Sequence, residues 1–455
     1  MNLLAPLFRY PAVEAELSVL ATLQGMLDFE SALARAESRA AIIPASAATS
    51  ITAACRAEKI DSTDLADSAA QAGNLAIPLV KQLTALIAKS DPDSARFVHF
   101  GATSQDAIDT GRILQLRRAF NLISADLDNL SDSLAYLANK HRSTLIAART
   151  WMQHALPTTF GAKVATWLDA VDRDCLRLRE SQSRCFVLQF GGAVGTLAAF
   201  GAKGPEVAKN LSAELNLPLP HLPWHSSRDR FAEIASTLGL CTGTLGKIAR
   251  DLSLHSQTEI AELFEPAAGG RGASSTMPHK RNPITSAIVL SAATRIPHLV
   301  ATMLSAMPQE DERGLGGWHA EWETLPEIVS LTAGALHHLA AIARNLEVDT
   351  ARMRQNLDRT QGLIYAEAVT IALSDKIGRS TAHALLESAC NRARAEQQNL
   401  RNILSVDDKI SPHLSSKDLD RLFEPKNYLG SAERFVDDVL AGYHSSHAIN
   451  SAGRT

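Results

Sequence analysis

Between Ala268 and Pro283 the chain reads A-G-G-R-G-A-S-S-T-M-P-H-K-R-N-P, and nine residues of it hold a hydroxyl (Ser274), an ammonium (Lys280) and an amide (Asn282). This set suits an anionic substrate with a proton to be moved. The cation and the amide hold negative charge where it develops, and the hydroxyl carries a proton once neighbouring cations and loop amides lower its pKa. Gly269, Gly270 and Gly272 free the first half of the stretch, and Pro278 and Pro283 restrict the second, which predicts a loop over 267–283. Polar surface loops have the same composition, so the residue types alone leave both readings open.

Four more polar clusters carry groups of this kind. V-H-F-G-A-T-S-Q-D contains His99, Thr103, Ser104, Gln105 and Asp106 just ahead of an apolar-periodic run, where exposed amides and hydroxyls at a helix start can seat a carboxylate. An ordinary N-cap by Thr103 or Ser104 explains it equally well. A-R-T-W-M-Q-H-A-L-P contributes Arg149, Gln153 and His154 at the entry to a predicted helix, and P-W-H-S-S-R-D-R contributes His225 ahead of another. Capping or packing is the plain alternative for both histidines. Q-E-D-E-R-G-L-G-G-W-H-A-E-W-E supplies Arg313 and a mix of tryptophan, histidine and charge that suits a pocket or a subunit interface.

Long helices are predicted to position these clusters. Ile113, Leu116, Phe120, Ile123, Leu127, Leu130, Leu134 and Leu137 step by three and four, an unbroken seam. Phe231, Ile234, Leu238, Cys241, Leu245, Ile248 and Leu252 repeat it, and Leu325, Ile328, Thr332, Leu339, Ile342 and Leu346 do so more loosely. Helices over about 157–185 and 284–305 complete a set of five, an arrangement that packs as a bundle. The turn Q-F-G-G-A-V-G-T (Gln189–Thr196) has three glycines but no β-α-β surroundings, so a backbone turn is expected there and not a dinucleotide site.

Composition narrows the function classes. The 455 residues exceed one core, and 45 basic against 49 acidic residues leave a charge of −4, too even for a nucleic-acid partner. No run of about 18–20 apolar residues is expected to span a membrane. The five scattered cysteines fit neither a disulfide framework nor a zinc site and point to a reducing cytoplasm. The histidines lack ligand spacing, and fixed donors suffice to hold the developing charge, so neither a metal nor an organic cofactor is expected.

The order S-S-x-M-P-x-K-x-N resembles the signature loop of the fumarase/aspartase superfamily, long and ungapped. T-S-Q-D is similar to that superfamily's T-S-x-D carboxylate-binding segment. R-T-W-M-Q-H-A resembles its R-T-H-x-x-x-A segment, the usual source of the general acid, with Trp151 in the histidine's place. An amine or hydroxide needs a proton as it leaves, whereas a carboxylate of pKa near ~4 departs bare. A member lacking that imidazole is therefore expected to expel a carboxylate or, in reverse, to add one within a molecule and close a lactone. R-T-W-x-Q-H-A, P-W-H-x-x-R-D-R and E-R-x-x-G-G-W-x-A-E-W-E together resemble the lactone-forming cycloisomerase branch of the superfamily over nearly the whole chain.

The resemblance implies an all-α, three-domain subunit: a helical domain over 1–100, a central five-helix bundle over 101–348 with the flexible loop 267–283, and a helical domain over 349–455. It further implies a homotetramer with sites shared between subunits, a di- or tricarboxylate substrate, and a cis,cis-muconate with a third anionic group, carboxylate or sulfonate, met in aromatic-compound breakdown. Ser274 and Lys280 are the implied catalytic residues. Thr103, Ser104, Gln153 and Asn282 are implied to hold substrate, with His99, His154, His225 and Arg313 as further binding or orienting groups. Two rivals stand: an adenylosuccinate-lyase-like C–N lyase, which shares M-P-H-K-R-N-P, and a family member retained only as a structural protein.

Overall fold

A computed structural model of the chain describes residues 3–267, 272–273 and 276–452. In chain order, the elements that bear on the site are helix α1 (Val19–Arg39), α2 (Ser104–Lys140), strands β1 (Leu145–Thr150) and β2 (Gln153–Thr159), α3 (Phe160–Cys185), α4 (Asp229–His255), β3 (Leu263–Phe264), α5 (Ile284–Ser305), α6 (Gly317–Ala343), β4 (Glu347–Val348) and α7 (Thr350–Asp358). Each of the five stretches read as long helices contains one, although residues 157–159 lie on β2 and Leu346 lies beyond the end of α6, and shorter helices make up most of the remainder. The fold is all-α apart from two small two-stranded sheets among the described residues.

The seams explain the helices. All eight seam residues of α2 are at most 2% exposed, and the seven of α4 at most 4%. Each such side chain contributes roughly 1.5–3 kcal/mol by leaving water, well beyond what intrinsic helix propensity supplies.

Contacts divide the chain into two units. Unit 1 comprises Met1–Asp128, Asp174–Gly246 and Ile288–His338, and unit 2 comprises Asn129–Arg173, Lys247–Ala287 and Leu339–Thr455. Within unit 1, α1 and α2 meet backbone to backbone: a Cβ on Gly25 would lie 2.7 Å from the Gly111 carbonyl oxygen, and one on Gly111 would lie 2.9 Å from the Met26 nitrogen. Glycine is the residue that permits this approach.

Two expectations need correcting. Gln153 and His154 do not enter a helix. They lie on β2, paired with β1 in the register Arg149↔His154 and Thr150↔Gln153, and α3 begins only at Phe160. Trp151 and Met152 form the two-residue turn at φ 50° and 66°, a conformation whose usual signature is Asn-Gly. Their bulk hid the hairpin. The second concerns apolar length: α5 and α6 are long and apolar enough, by length and composition, to cross a membrane. Serines, threonines, histidines and, in α5, Arg295 interrupt the contiguous run, while the many isoleucines, leucines, valines and alanines keep the average high. The apolar window of α6 is 67% buried, as in a core helix, whereas that of α5 is 28% buried.

Candidate functional site

In unit 1 the start of α2 is organised by Asp106. Its carboxylate accepts hydrogen bonds from the backbone nitrogens of Thr103 (3.1 Å), Gly191 (3.0 Å) and Gly192 (2.9 Å) and from Gln189 Nε2 (3.1 Å), and it lies 2.7 Å from His225 Nε2. The Gly191–Gly192 turn, read from sequence as a plain backbone turn, is thus fastened to the first turn of α2. Gly192 adopts φ 67°, and a Cβ there would lie 2.8 Å from the Gly101 carbonyl oxygen.

Around this post stand five of the residues singled out in the sequence. Ser104 is the first residue of α2. The Thr103 hydroxyl accepts from Arg313 Nη1 at 2.8 Å, while Arg313 Nη2 donates to the Ala193 carbonyl at 2.9 Å. His225 is buried, its Nε2 committed to Asp106. His99 sits at φ 58° with its Nδ1 2.6 Å from Glu30 Oε1. Burial works against a charged imidazole at His99, but the Glu30 carboxylate outweighs it and the pKa is raised. Two helical turns beyond Glu30, on the same face of α1, the Glu37 carboxyl is fully buried without a hydrogen-bond partner among the described residues. Burial, helped by the charge on Glu30, pushes it up to about 9, so Glu37 is neutral at pH 7. The protonated Glu37 thus shares its face of α1 with Glu30, which holds the His99 pKa up.

In unit 2 the hairpin is anchored by Glu262. Its carboxylate takes both terminal nitrogens of Arg149 (3.0 and 2.8 Å) and Asn356 Nδ2 (2.7 Å), and it lies 2.6 Å from His255 Nδ1. Burial alone would raise its pKa; the hydrogen bonds from His255, Arg149 and Asn356 override that and hold it at about 2. His154, opposite Arg149, has a buried Nδ1 without a hydrogen-bond partner among the described residues. Burial, then the charges of Arg149 and Arg359, lower its pKa against the pull of Glu262, so it is a neutral imidazole at pH 7. Gln153 is exposed.

Also in unit 2, the flanks of the signature loop are tied together by the Ala273↔Arg281 bridge and by Asn282 N–H to the Gly272 carbonyl at 2.9 Å. Gly272, at φ 75°, is required because a Cβ would lie 2.4 Å from the Asn282 carbonyl oxygen. Arg281 is fixed over the Phe264 ring (4.9 Å) and pairs with Glu347 at 2.8 Å. Glu265 accepts from the backbone nitrogens of Thr285 and Ser286, each at 2.8 Å, capping α5. A cavity of about 230 Å3 between these groups is lined by Lys280, Asn282, Arg281, Ser256 and Glu265. With Arg281 paired to Glu347 and Glu265 bonded to the start of α5, Lys280 and the Asn282 amide are the lining groups left to meet an anion. Ser274 lies outside the described residues.

The profile of the family described as "Lyase" matches residues 11–297, and that described as "Adenylosuccinate lyase C-terminus" matches residues 362–439. The chain belongs to the fumarase/aspartase family. Among curated members, the 3-carboxy-cis,cis-muconate cycloisomerase of Pseudomonas aeruginosa is 55% identical over 423 residues, 93% of this chain and 92% of that protein. Among solved structures of the family, the 3-carboxy-cis,cis-muconate lactonizing enzyme of Pseudomonas putida superposes with a TM-score of 0.93 at 52% identity, covering 98% of this chain and 99% of that one. The β-carboxy-cis,cis-muconate cycloisomerase of Acinetobacter calcoaceticus sp. ADP1 does so with a TM-score of 0.92 at 43% identity, covering 97% and 100%.

The sequence reading missed Glu30, Glu37 and Glu262. The first two had a signal: two acids seven residues apart inside the apolar stripe of α1, which also carries Phe29 and Leu33. Glu262 had none, since two of its partners, Arg149 and Asn356, lie 113 and 94 residues away in the chain.

Proposed function

We propose that this chain is a cycloisomerase that converts 3-carboxy-cis,cis-muconate to a muconolactone in the breakdown of aromatic compounds. One substrate carboxylate oxygen bonds to the far carbon of a conjugated double bond, while the carbon next to another carboxylate gains a proton. No atoms are lost, and the pair of electrons displaced by the new C–O bond rests in an aci-carboxylate before protonation. Lys280 and Asn282 hold that dianionic charge. Thr103, Ser104 and Gln153 seat carboxylates, aided by His99, whose raised pKa favours its protonated form, and by Arg313. Asp106 and His225 keep the seat in place, His154 orients as a neutral imidazole, and Ser274 delivers the proton.

The reading is carried by one conjunction: Lys280 and Asn282 are present with Trp151 in place of the acid imidazole, in a chain 55% identical to a P. aeruginosa enzyme of that name. The subunit is assigned three domains, 1–100, 101–348 and 349–455, with the five long helices bundled in the second. Four copies assemble with sites shared between them, a reading supported by the largely uncovered apolar surface of α5. Free thiols at all five cysteines suit a cytoplasmic setting.

Replacing Ser274 by alanine tests the assignment: loss of muconate absorbance should slow by about three orders of magnitude, with the mass in light scattering unchanged. Turnover like that of the unaltered protein defeats it. The match to the adenylosuccinate lyase C-terminus favours a C–N lyase as the second reading. Cleavage of a succinyl nucleotide without muconate turnover would establish that one instead.

A further inference from the structure

Unit 1 contains a second cavity, of about 100 Å3, none of whose lining residues belongs to the seat described above. Met26, Leu75 and Ile108 give it apolar walls, and Arg112, Gln115, Thr22 and Trp322 supply the polar atoms. Arg112 makes no hydrogen bond or ion pair among the described residues. The carboxylate whose charge acts on it, Asp109, is already saturated. Asp109 Oδ2 accepts from Gln105 Nε2 at 3.0 Å and Arg228 Nη1 at 2.6 Å, and Oδ1 accepts from Arg228 Nη2 at 3.2 Å and Trp318 Nε1 at 3.1 Å. Gln115 Nε2 is likewise occupied, by the Glu16 carbonyl and the Thr22 hydroxyl. Burial lowers the Arg112 pKa to about 10 against the pull of Asp109, which still leaves it charged at neutral pH.

A partly buried guanidinium without an acceptor is unfavourable, and an anion with two coplanar oxygens is its natural complement. Thr22 and Gln115 are bonded to each other, and the other walls are Met26, Leu75, Ile108 and the Trp322 indole, whose Nε1 has no hydrogen-bond partner among the described residues, so the rest of that ligand must be largely apolar. The volume falls below the roughly 150 Å3 in which a benzene ring alone fits, so a ring that also bears the carboxylate is too large and a short aliphatic body is left. We propose that this cavity binds a small aliphatic monocarboxylate, its two oxygens paired with Arg112 and its methylenes against Met26, Leu75 and Ile108.

Titration calorimetry of the full chain with butyrate should show saturable binding, with a dissociation constant on the order of 1 mM, as a six-atom ligand allows. Benzoate should bind at least tenfold more weakly. Arg112→Met should abolish the heat, and Ile108→Phe, which fills the cavity and leaves the charge, should weaken binding at least tenfold. Thr103→Ala, at the seat, should leave it unaltered. An Arg112→Met protein that fails to fold leaves Ile108→Phe to decide. The proposal is overturned by absence of saturable heat, by full binding in Ile108→Phe, or by loss of binding in Thr103→Ala. A change of mass in light scattering on Arg112→Met also overturns it, because the partner of Arg112 is then an acidic side chain of a second copy.

Discussion

Glu30 and Glu37 are both carboxyls on one face of α1, and they differ in what each one meets. Glu30 faces His99 at 2.6 Å, whereas Glu37 has no partner among the described residues. Glu30→Gln keeps an acceptor for His99 but removes the charge that raises its pKa. KM for the muconate should therefore rise about tenfold with little change in kcat, and its rise with pH should set in at lower pH. Glu30→Asp should restore part of the loss. Equal falls in kcat and kcat/KM would place Glu30 in the chemical step instead. Glu37 acts on stability. Its folded pKa of about 9 lies above the ordinary 4.5, so its contribution is full below pH 4.5 and is lost as pH rises through 9. Glu37→Gln needs no proton, and urea unfolding at pH 8 should find it more stable by at least about 2 kcal/mol, with the gap closing at pH 4.5.

Among the elements, the β1–β2 hairpin departs most from its sequence. Trp151 is 97% exposed and Met152 71% exposed, both at positive φ. Side chains with a Cβ cost roughly 1–2 kcal/mol each in that conformation, whereas Asn-Gly adopts it readily. The double replacement Trp151→Asn with Met152→Gly should raise unfolding stability by about 1–2 kcal/mol and lower turnover, since strain of this kind persists where it serves the reaction. Unaltered turnover would separate the turn from the site. The contrast with α2 shows what the chain discloses. Eight seam residues at helical spacing are all buried, because burial of a stripe is a local pattern that any reader of the sequence can count. A hairpin closed by two bulky residues contradicts its own local preference, and only pairing across β1 and β2 creates it. Thr103, Ser104, Lys280 and Asn282 could be singled out as candidates because they lie in short runs. Glu262 was not, since its meaning depends on Arg149 and Asn356, 113 and 94 residues away in the chain.

At the scale of the molecule, Glu262 sets the acid limit of unit 2. Its folded pKa of about 2 lies below the ordinary 4.5, so its stabilisation is present above pH 4.5 and is lost as pH falls through 2. The full amount is on the order of 3 kcal/mol. Glu262→Gln should remove most of it at pH 7 while flattening the decline between pH 5 and 3, as read by thermal unfolding across that range. Opposite limits thus come from different residues, the acid one from Glu262 and the alkaline one from Glu37. The contact of Gly25 with Gly111 bears on how the sequence can drift. Exchanging one glycine for alanine wedges α1 from α2, and altering the second cannot undo the first because each faces the other's main chain. In a saturation library scored for growth on the aromatic precursor, both columns should therefore be blank for every replacement, even where the rest of α1 tolerates several.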